Sequence, residues 1–142
     1  MRKCEIVKRF ELIEHTADIG LVAFGETLAD AFANAAYGMF SIISDLDTVR
    51  EIESRRVEIT EDDIEALLFE WLNSLIYYFD VDGLLLRNFD IIEFGGSRLV
   101  AECHGEKYDP SRHDLKTGIK SATYHMLDVD KEKKQVRVIF DI

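Results

Sequence analysis

The segment from Ile64 to Phe79 constrains the fold more than any other part of this sequence. Its apolar residues recur at spacings of three and four, which is typical of a helix with one buried face. Residues 60–63 favour a helix N-terminus, and residues 80–83, which end in glycine, are predicted to stop the helix. A second apolar layer must cover this face, and we expect Trp71 in the resulting core. The face carries Ile64, Leu67, Leu68, Trp71, Leu72, Leu75, Ile76 and Phe79.

A second amphipathic helix is predicted after residue 27. Thr27 is a favourable N-cap, and Asp30 in the first turn complements the helix dipole. We interpret the apolar stripe that follows as a surface for core packing. That stripe carries Leu28, Phe32, Ala35, Met39 and Ile42.

The segments around these helices are predicted to be β-strands, because turn residues bound them and they are rich in β-branched and aromatic residues. Several follow one another as hairpins, with a turn at residues 95–96, so a regular βαβ alternation is absent. We therefore expect an α+β fold: a single domain over residues 1–142, with a mixed or antiparallel sheet and two main amphipathic helices packed on it. A helical turn at the start of residues 116–123 stays open. The predicted strands are residues 10–13, 19–25, 49–59, 84–94, 98–106, 119–130 and 136–140.

The net charge of the chain indicates which kinds of molecule it can bind. Asp and Glu total 28 against 17 Lys and Arg, which gives a net charge of −11. Nonspecific nucleic-acid binding relies on many cationic contacts to phosphate, so we expect no extensive contact with RNA or DNA. An acidic surface suits a basic protein or a cation instead. The apolar runs are shorter than the roughly 20 residues of a membrane-spanning helix, and no signal peptide is visible. We expect a soluble, cytoplasmic protein without membrane contact.

Cysteine chemistry is not expected to contribute to function. Cys4 and Cys103 are the two cysteines, and neither belongs to a CxxC pair. Two cysteines cannot build a disulfide framework, so both are interpreted as packing residues.

Carboxylates near two chain segments could bind a metal ion. Asp18 lies in a polar loop between the first two predicted strands, and Asp141 directly precedes the terminal Ile142. If the last strand brought Asp141 and the α-carboxylate of Ile142 beside Asp18, the anions would repel unless a cation lay between them. Carboxylate oxygens suit Ca²⁺ or Mg²⁺. Spacing alone does not show that these residues meet, and Asp18 capping a turn is the structural alternative.

A third polar region, residues 104–125, holds three of the four histidines and is locally basic. Lys116 and Lys120 could meet a phosphate as point charges or could pair with surface acids, and the sequence favours neither. No Ser-His-Asp order, HExxH pair or Walker loop occurs in the chain. An enzyme, such as a metal-dependent hydrolase or phosphotransferase, is an alternative interpretation, but the sequence shows no recognisable set of catalytic residues for it.

Five motifs stand out along the chain: His15-Thr16-Ala17-Asp18-Ile19-Gly20, Trp71-Leu72-Asn73, Gly105-Glu106, Lys116-Thr117-Gly118-Ile119-Lys120-Ser121-Ala122-Thr123-Tyr124-His125 and Phe140-Asp141-Ile142. In content, order and spacing they resemble the archease family, from about Phe10 to the last residue. Gly118 departs from the family pattern, in which we expect an acidic residue, and glycine adds backbone freedom there. If that acid contributes to partner binding, this chain should bind its partner more weakly.

The resemblance implies a non-catalytic protein cofactor of an RtcB-type RNA ligase, which joins tRNA halves and repairs RNA. Archeases are understood to speed the GTP- and metal-dependent guanylylation of that ligase and to permit multiple turnovers. An alternative role is chaperone-like modulation of tRNA methylation, with a tRNA methyltransferase as partner.

The resemblance also implies a divalent-metal site at Asp18, Asp141 and Ile142. We expect Ca²⁺ in a structure and Mg²⁺ or Mn²⁺ as functional alternatives. His15, His113, Lys116 and Lys120 are the candidate contacts to a partner or nucleotide.

Overall fold

The computed structural model describes residues 8–14 and 16–142, and it confirms the α+β fold class with two helices and seven antiparallel strands. The predicted helices and strands are all present, with ends shifted by a few residues. In chain order the elements are β1 (Phe10–Glu14), β2 (Asp18–Phe24), α1 (Leu28–Ile43), β3 (Glu53–Thr60), α2 (Ile64–Asp82), β4 (Leu84–Phe94), β5 (Arg98–Lys107), β6 (Ser121–Asp130) and β7 (Gln135–Asp141).

The strands form two sheets rather than the one sheet that the sequence suggested. The four-stranded sheet has the order β1-β2-β7-β6, and the three-stranded sheet has the order β3-β5-β4. Helix α1 packs against β2 and β4 and so contacts both sheets, whereas α2 packs mainly along β6. Strand β2 pairs with β7 from the far end of the chain, a long-range contact that hydrophobic alternation does not encode.

Trp71 lies in the core, as predicted. Its side chain is fully buried, and its Nε1–H donates to the carbonyl oxygen of Phe32 at 3.0 Å, which links α2 to α1. The Trp71 ring meets Phe89 of β4 edge to face, with centroids 6.2 Å apart. Each large apolar side chain buried in this way stabilises the fold by roughly 1.5–3 kcal/mol.

The helix ends follow the capping residues. The side chain of Thr27 accepts a hydrogen bond from the backbone N–H of Asp30, as predicted. Asp63 caps α2 in the same way through the N–H of Ala66. Helix α2 runs to Asp82, three residues beyond its predicted apolar face, and ends at Gly83 with a left-handed φ of 68°. Glycine adopts that conformation without the strain that a Cβ atom brings.

Residues 116–120 form no helical turn, and β6 begins at Ser121. Cys103 is buried in β5, where burial raises the pKa of its thiol to about 12, as expected for a packing residue. Cys4 lies outside the described residues. Neither α1 nor α2 is long and apolar enough to cross a membrane.

Candidate metal centre

The structure brings Asp18 and Asp141 together. Asp18 is the first residue of β2, Asp141 is the last residue of β7, and the two are direct partners in the antiparallel register. Directly opposed residues point to the same face of a sheet with Cβ atoms about 5 Å apart, and like charges there are destabilising. The sequence supplied both carboxylates as candidates, and the strand pairing makes them neighbours.

One oxygen of Asp18 has no partner that would offset its burial. Its Oδ1 atom is shielded from solvent and accepts no hydrogen bond from the described residues. An unsatisfied buried carboxylate oxygen is costly, and a bound cation would satisfy it. Oxygen donors of this kind fit Ca²⁺, Mg²⁺ or Mn²⁺.

The side chains around Asp18 and Asp141 do not by themselves complete a metal site. Within residues 8–14 and 16–142, no three His, Cys, Asp or Glu side chains gather closely enough to hold a metal ion. A metal ion at this position would need a third protein ligand of another kind, and the expected one is the α-carboxylate of Ile142. Ile142 directly follows Asp141 and is partly buried against the core.

The segment between β5 and β6 is tied to this corner through its backbone. The N–H of Lys116 donates to the carbonyl of Ile43 at 2.7 Å, at the end of α1. The N–H of Lys120 donates to the carbonyl of Asp141 at 2.8 Å. Both lysine side chains are exposed. The backbone of Lys120 thus lies directly beside one of the paired acids.

A groove of about 200 Å³ opens beside the corner. Its walls include Glu14 at the end of β1, Ile19 next to Asp18, and Lys116 and Thr117 from the segment between β5 and β6. The groove therefore places Lys116 at the same end of the four-stranded sheet as the carboxylate pair. The two lysines and the two acids form one polar end of the domain, which we call the carboxylate corner.

A buried ionic network anchors the segment that carries the lysines. Glu106, only 3% exposed at the end of β5, accepts hydrogen bonds from the backbone N–H of Arg50 at 2.8 Å and from His113 Nε2 at 3.0 Å, and it pairs with Arg112. Burial disfavours the charged carboxylate, but these hydrogen bonds and the Arg112 charge outweigh it and lower the pKa of Glu106 to about 2.

The structure corrects the expected role of His113. The side chain is 1% exposed, so it is not available for direct contact with a partner or nucleotide. Its Nδ1 atom accepts from the backbone N–H of Asp109 at 2.9 Å, which leaves Nε2 as the atom that donates to Glu106. Sequence reasoning missed this network. A glutamate and a histidine seven residues apart give no periodic signal before the loop between them is known.

Of the expected contacts to a partner or nucleotide, only His15 remains, and it lies outside the described residues. Gly118 is exposed, and a Cβ atom there would meet nothing within 4 Å. The departure from the family pattern at this position therefore has no packing cause.

The fold and the site together define a class: a small α+β protein with two antiparallel sheets and an acidic corner where β2 meets β7. Residues 10–142 match the model of the archease protein family (MTH1598/TM1083). The chain belongs to the archease family.

Similar proteins agree over nearly the whole chain. The chain is 39% identical over 141 residues to protein archease of Methanosarcina mazei, covering 95% of this chain and 97% of that protein. It is 39% identical over 128 residues to protein archease of Pyrococcus abyssi, covering 88% and 90% of the two chains.

Two solved structures share the fold. The solution structure of protein 1598 from Methanobacterium thermoautotrophicum superposes with a TM-score of 0.76 at 34% identity, covering 94% of this chain and 98% of that one. A Thermotoga maritima crystal structure, described as an archease and possible chaperone, has a TM-score of 0.59 at 21% identity, covering 99% of this chain and 100% of that one.

Proposed function

We propose that this protein activates an RtcB-type RNA ligase, promoting its GTP-dependent guanylylation and multiple turnover, and that it performs no reaction itself. Membership of the archease family supports this role through the resemblance described above. We further propose that a divalent cation held at the carboxylate corner is required. Such a role would place the protein in the cytoplasm with the tRNA-processing machinery.

The observation that carries the proposal is the direct pairing of Asp18 with Asp141, together with the buried Oδ1 atom of Asp18, which accepts no hydrogen bond within residues 8–14 and 16–142. Two opposed carboxylates at the ends of β2 and β7 raise the energy of the folded chain unless a cation offsets their repulsion. We therefore infer that the protein uses this pair of carboxylates to bind a cation.

In this mechanism Asp18, Asp141 and the Ile142 carboxylate would hold the cation at the rim of the domain. A divalent cation, when bound, supplies positive charge that stabilises a transferring phosphoryl group. The exposed side chains of Lys116 and Lys120 add point charges that orient a triphosphate. The buried Glu106–His113 network keeps the lysine-bearing segment in place, because the chain between it and β6 is short.

A chaperone-like role is the second candidate. The Thermotoga maritima relative is described as a possible chaperone, and the acidic composition suits basic client proteins such as tRNA-modifying enzymes. This role leaves the unsatisfied Asp18 oxygen without a purpose. A pull-down that recovers a tRNA methyltransferase but no ligase would favour it.

The test uses a limiting amount of an RtcB-type ligase with excess RNA, GTP and a divalent metal. The protein should convert a single round of ligation into multiple turnovers, and Asp18→Asn should lose that effect. Asp47→Asn removes an exposed acid from the loop after α1 and should activate like the wild type. Equal turnover with and without the protein would remove the ligase role. Full activation by Asp18→Asn would instead remove the metal-centred mechanism.

A further inference from the structure

An aromatic surface lies between α2 and β6, away from the groups that the proposed function uses. The rings of Phe69 and Tyr124 stack with centroids 4.1 Å apart and an angle of 12° between them. Tyr124 is nevertheless 56% exposed, and Tyr77, two turns further along α2, is 61% exposed. We call Phe69, Tyr77 and Tyr124 the α2–β6 aromatic surface. Its stacked pair offers a flat π-face to a partner.

A groove of about 340 Å³ runs along α2 beside Tyr77. Its walls include Glu70, Asn73 and Tyr77, which lie on adjacent turns of the helix. The Oδ1 atom of Asn73 also accepts a hydrogen bond from the backbone N–H of Ala122 at 2.9 Å, and its Nδ2 atom donates to the Ala122 carbonyl at 3.3 Å. Phe69, whose ring stacks on Tyr124, lies four residues before Asn73 on the same face of α2. The groove and the stacked rings therefore adjoin.

An irregularity in β6 keeps Tyr124 apart from regular strand pairing. The β6–β7 register is interrupted between Thr123 and Asp128, and Met126 adopts a positive φ of 55°. The Nε atom of Arg137 on β7 donates to the Met126 carbonyl at 2.8 Å and fixes this irregularity. Bulges of this kind redirect side chains, and positive φ in a non-glycine residue is uncommon.

Three carboxylates lie close enough to act on the Tyr124 phenol. Partial burial raises the pKa of the Tyr124 phenol, and the negative charges of Asp63, Glu61 and Glu70 raise it further. Glu70 also lines the groove beside Tyr77. A stacking platform for single-stranded nucleic acid combines aromatic rings with a basic groove, whereas this groove has an acidic rim. The charge therefore favours a cationic occupant over RNA.

We propose that the α2–β6 aromatic surface binds an arginine- or lysine-bearing segment of a partner protein. A guanidinium or ammonium group lies over the exposed face of Tyr124 or Tyr77, and Glu70 pairs with its charge. Cation–π contact and a nearby carboxylate reinforce each other at such a site. The proposal does not depend on the ligase role or on a metal ion.

The test titrates a capped peptide of alternating arginine and glycine into isotope-labelled protein at physiological salt, observed by NMR. We expect chemical-shift changes centred on Glu70, Asn73, Tyr77 and Tyr124. Tyr124→Leu and Glu70→Gln should each weaken binding by about fivefold, the scale of one cation–π contact or ion pair. The same spectra show whether each variant remains folded, and Glu70→Gln tests the surface without altering the ring stack.

Two matched variants separate local recognition from general charge attraction. Glu132→Gln removes one negative charge from the exposed turn between β6 and β7 and should leave affinity unchanged. Asp18→Asn should also bind the peptide normally, because the carboxylate corner is a different site. An equal loss with Glu132→Gln, or shifts centred on Asp18 and Asp141, would overturn the proposal. Stronger binding of a single-stranded oligonucleotide to the same residues would also contradict it.

Discussion

At the scale of single residues, the carboxylate of Glu106 is buried and receives hydrogen bonds from Arg50, Arg112 and His113. Its pKa of about 2 lies below the ordinary value of 4.5, so the folded state binds this proton less tightly than the unfolded state. The resulting stabilisation is complete above about pH 4.5 and is lost as the pH falls through about 2. We expect Glu106→Gln to reduce the free energy of unfolding at pH 7 by roughly 3 kcal/mol.

Denaturant unfolding at a series of pH values checks this prediction. The wild type should lose stability between pH 4.5 and 2, and Glu106→Gln should show a correspondingly shallower decline over that range. Glu132→Gln, which removes an exposed acid, should follow the wild-type curve. Parallel curves for wild type and Glu106→Gln would show that the network does not depend on the charge.

Removing the charge of Asp18 should have the opposite effect on stability from removing the charge of Glu106. Asp18 faces Asp141 across β2 and β7, and one of its oxygens has no hydrogen-bond partner in the part of the chain that the structure describes. Asp18→Asn should therefore stabilise the chain slightly in metal-free buffer, by about 1 kcal/mol or less. Added Ca²⁺ should raise the melting temperature of the wild type but not that of Asp18→Asn. A lower melting temperature for Asp18→Asn in a chelator would contradict the account of carboxylate repulsion.

At the scale of elements, the pairing of β4 with β5 depends on Gly105. A Cβ atom at this position would lie 1.9 Å from the carbonyl oxygen of Leu85, a backbone atom that cannot yield without moving β4. Gly105→Ala should therefore destabilise the protein by about 3 kcal/mol or prevent folding. Gly96→Ala, in the β4–β5 turn with open space around it, should change thermal stability little. Similar melting temperatures for the two variants would contradict this packing argument.

The junction of α2 with β6 depends on Asn73. Asn73→Ala would leave the N–H and carbonyl of Ala122 without these partners and should cost roughly 1–3 kcal/mol. Amide exchange at Ala122 should quicken, which hydrogen-exchange NMR measures residue by residue. Ser74→Ala on the next position of α2 should leave that amide protected, whereas unchanged protection in Asn73→Ala would show that β6 is held elsewhere.

The elements were largely predictable because their signals are local. The stripe from Ile64 to Phe79 gave α2, and Thr27 gave the start of α1. The hairpin of β4 with β5 was predictable from the turn at residues 95–96, but long-range strand partners were not, because the pairing of Asp18 with Asp141 joins opposite ends of the chain. The buried position of His113 was missed for a related reason: Glu106 reaches it only after β5 and the following loop are in place.

At the scale of the whole molecule, an acidic chain places paired carboxylates at one corner of the domain. The net charge of −11 was visible in the sequence, but the pairing of β2 with β7, which places that corner at one end of the four-stranded sheet, was not. The same acidic charge argues against extensive RNA contact. The ligase role and the cationic-segment site are therefore both proposed as contacts with protein.

Calorimetric titration of Ca²⁺ into the metal-free protein tests the central claim most directly, since it asks whether the carboxylate corner binds a divalent cation. We predict one site for the wild type, at least about a tenfold loss of affinity for Asp18→Asn and for Asp141→Asn, and no loss for Asp47→Asn. Equal binding by all four proteins, or none by the wild type with Ca²⁺, Mg²⁺ or Mn²⁺, would contradict the metal-centred account.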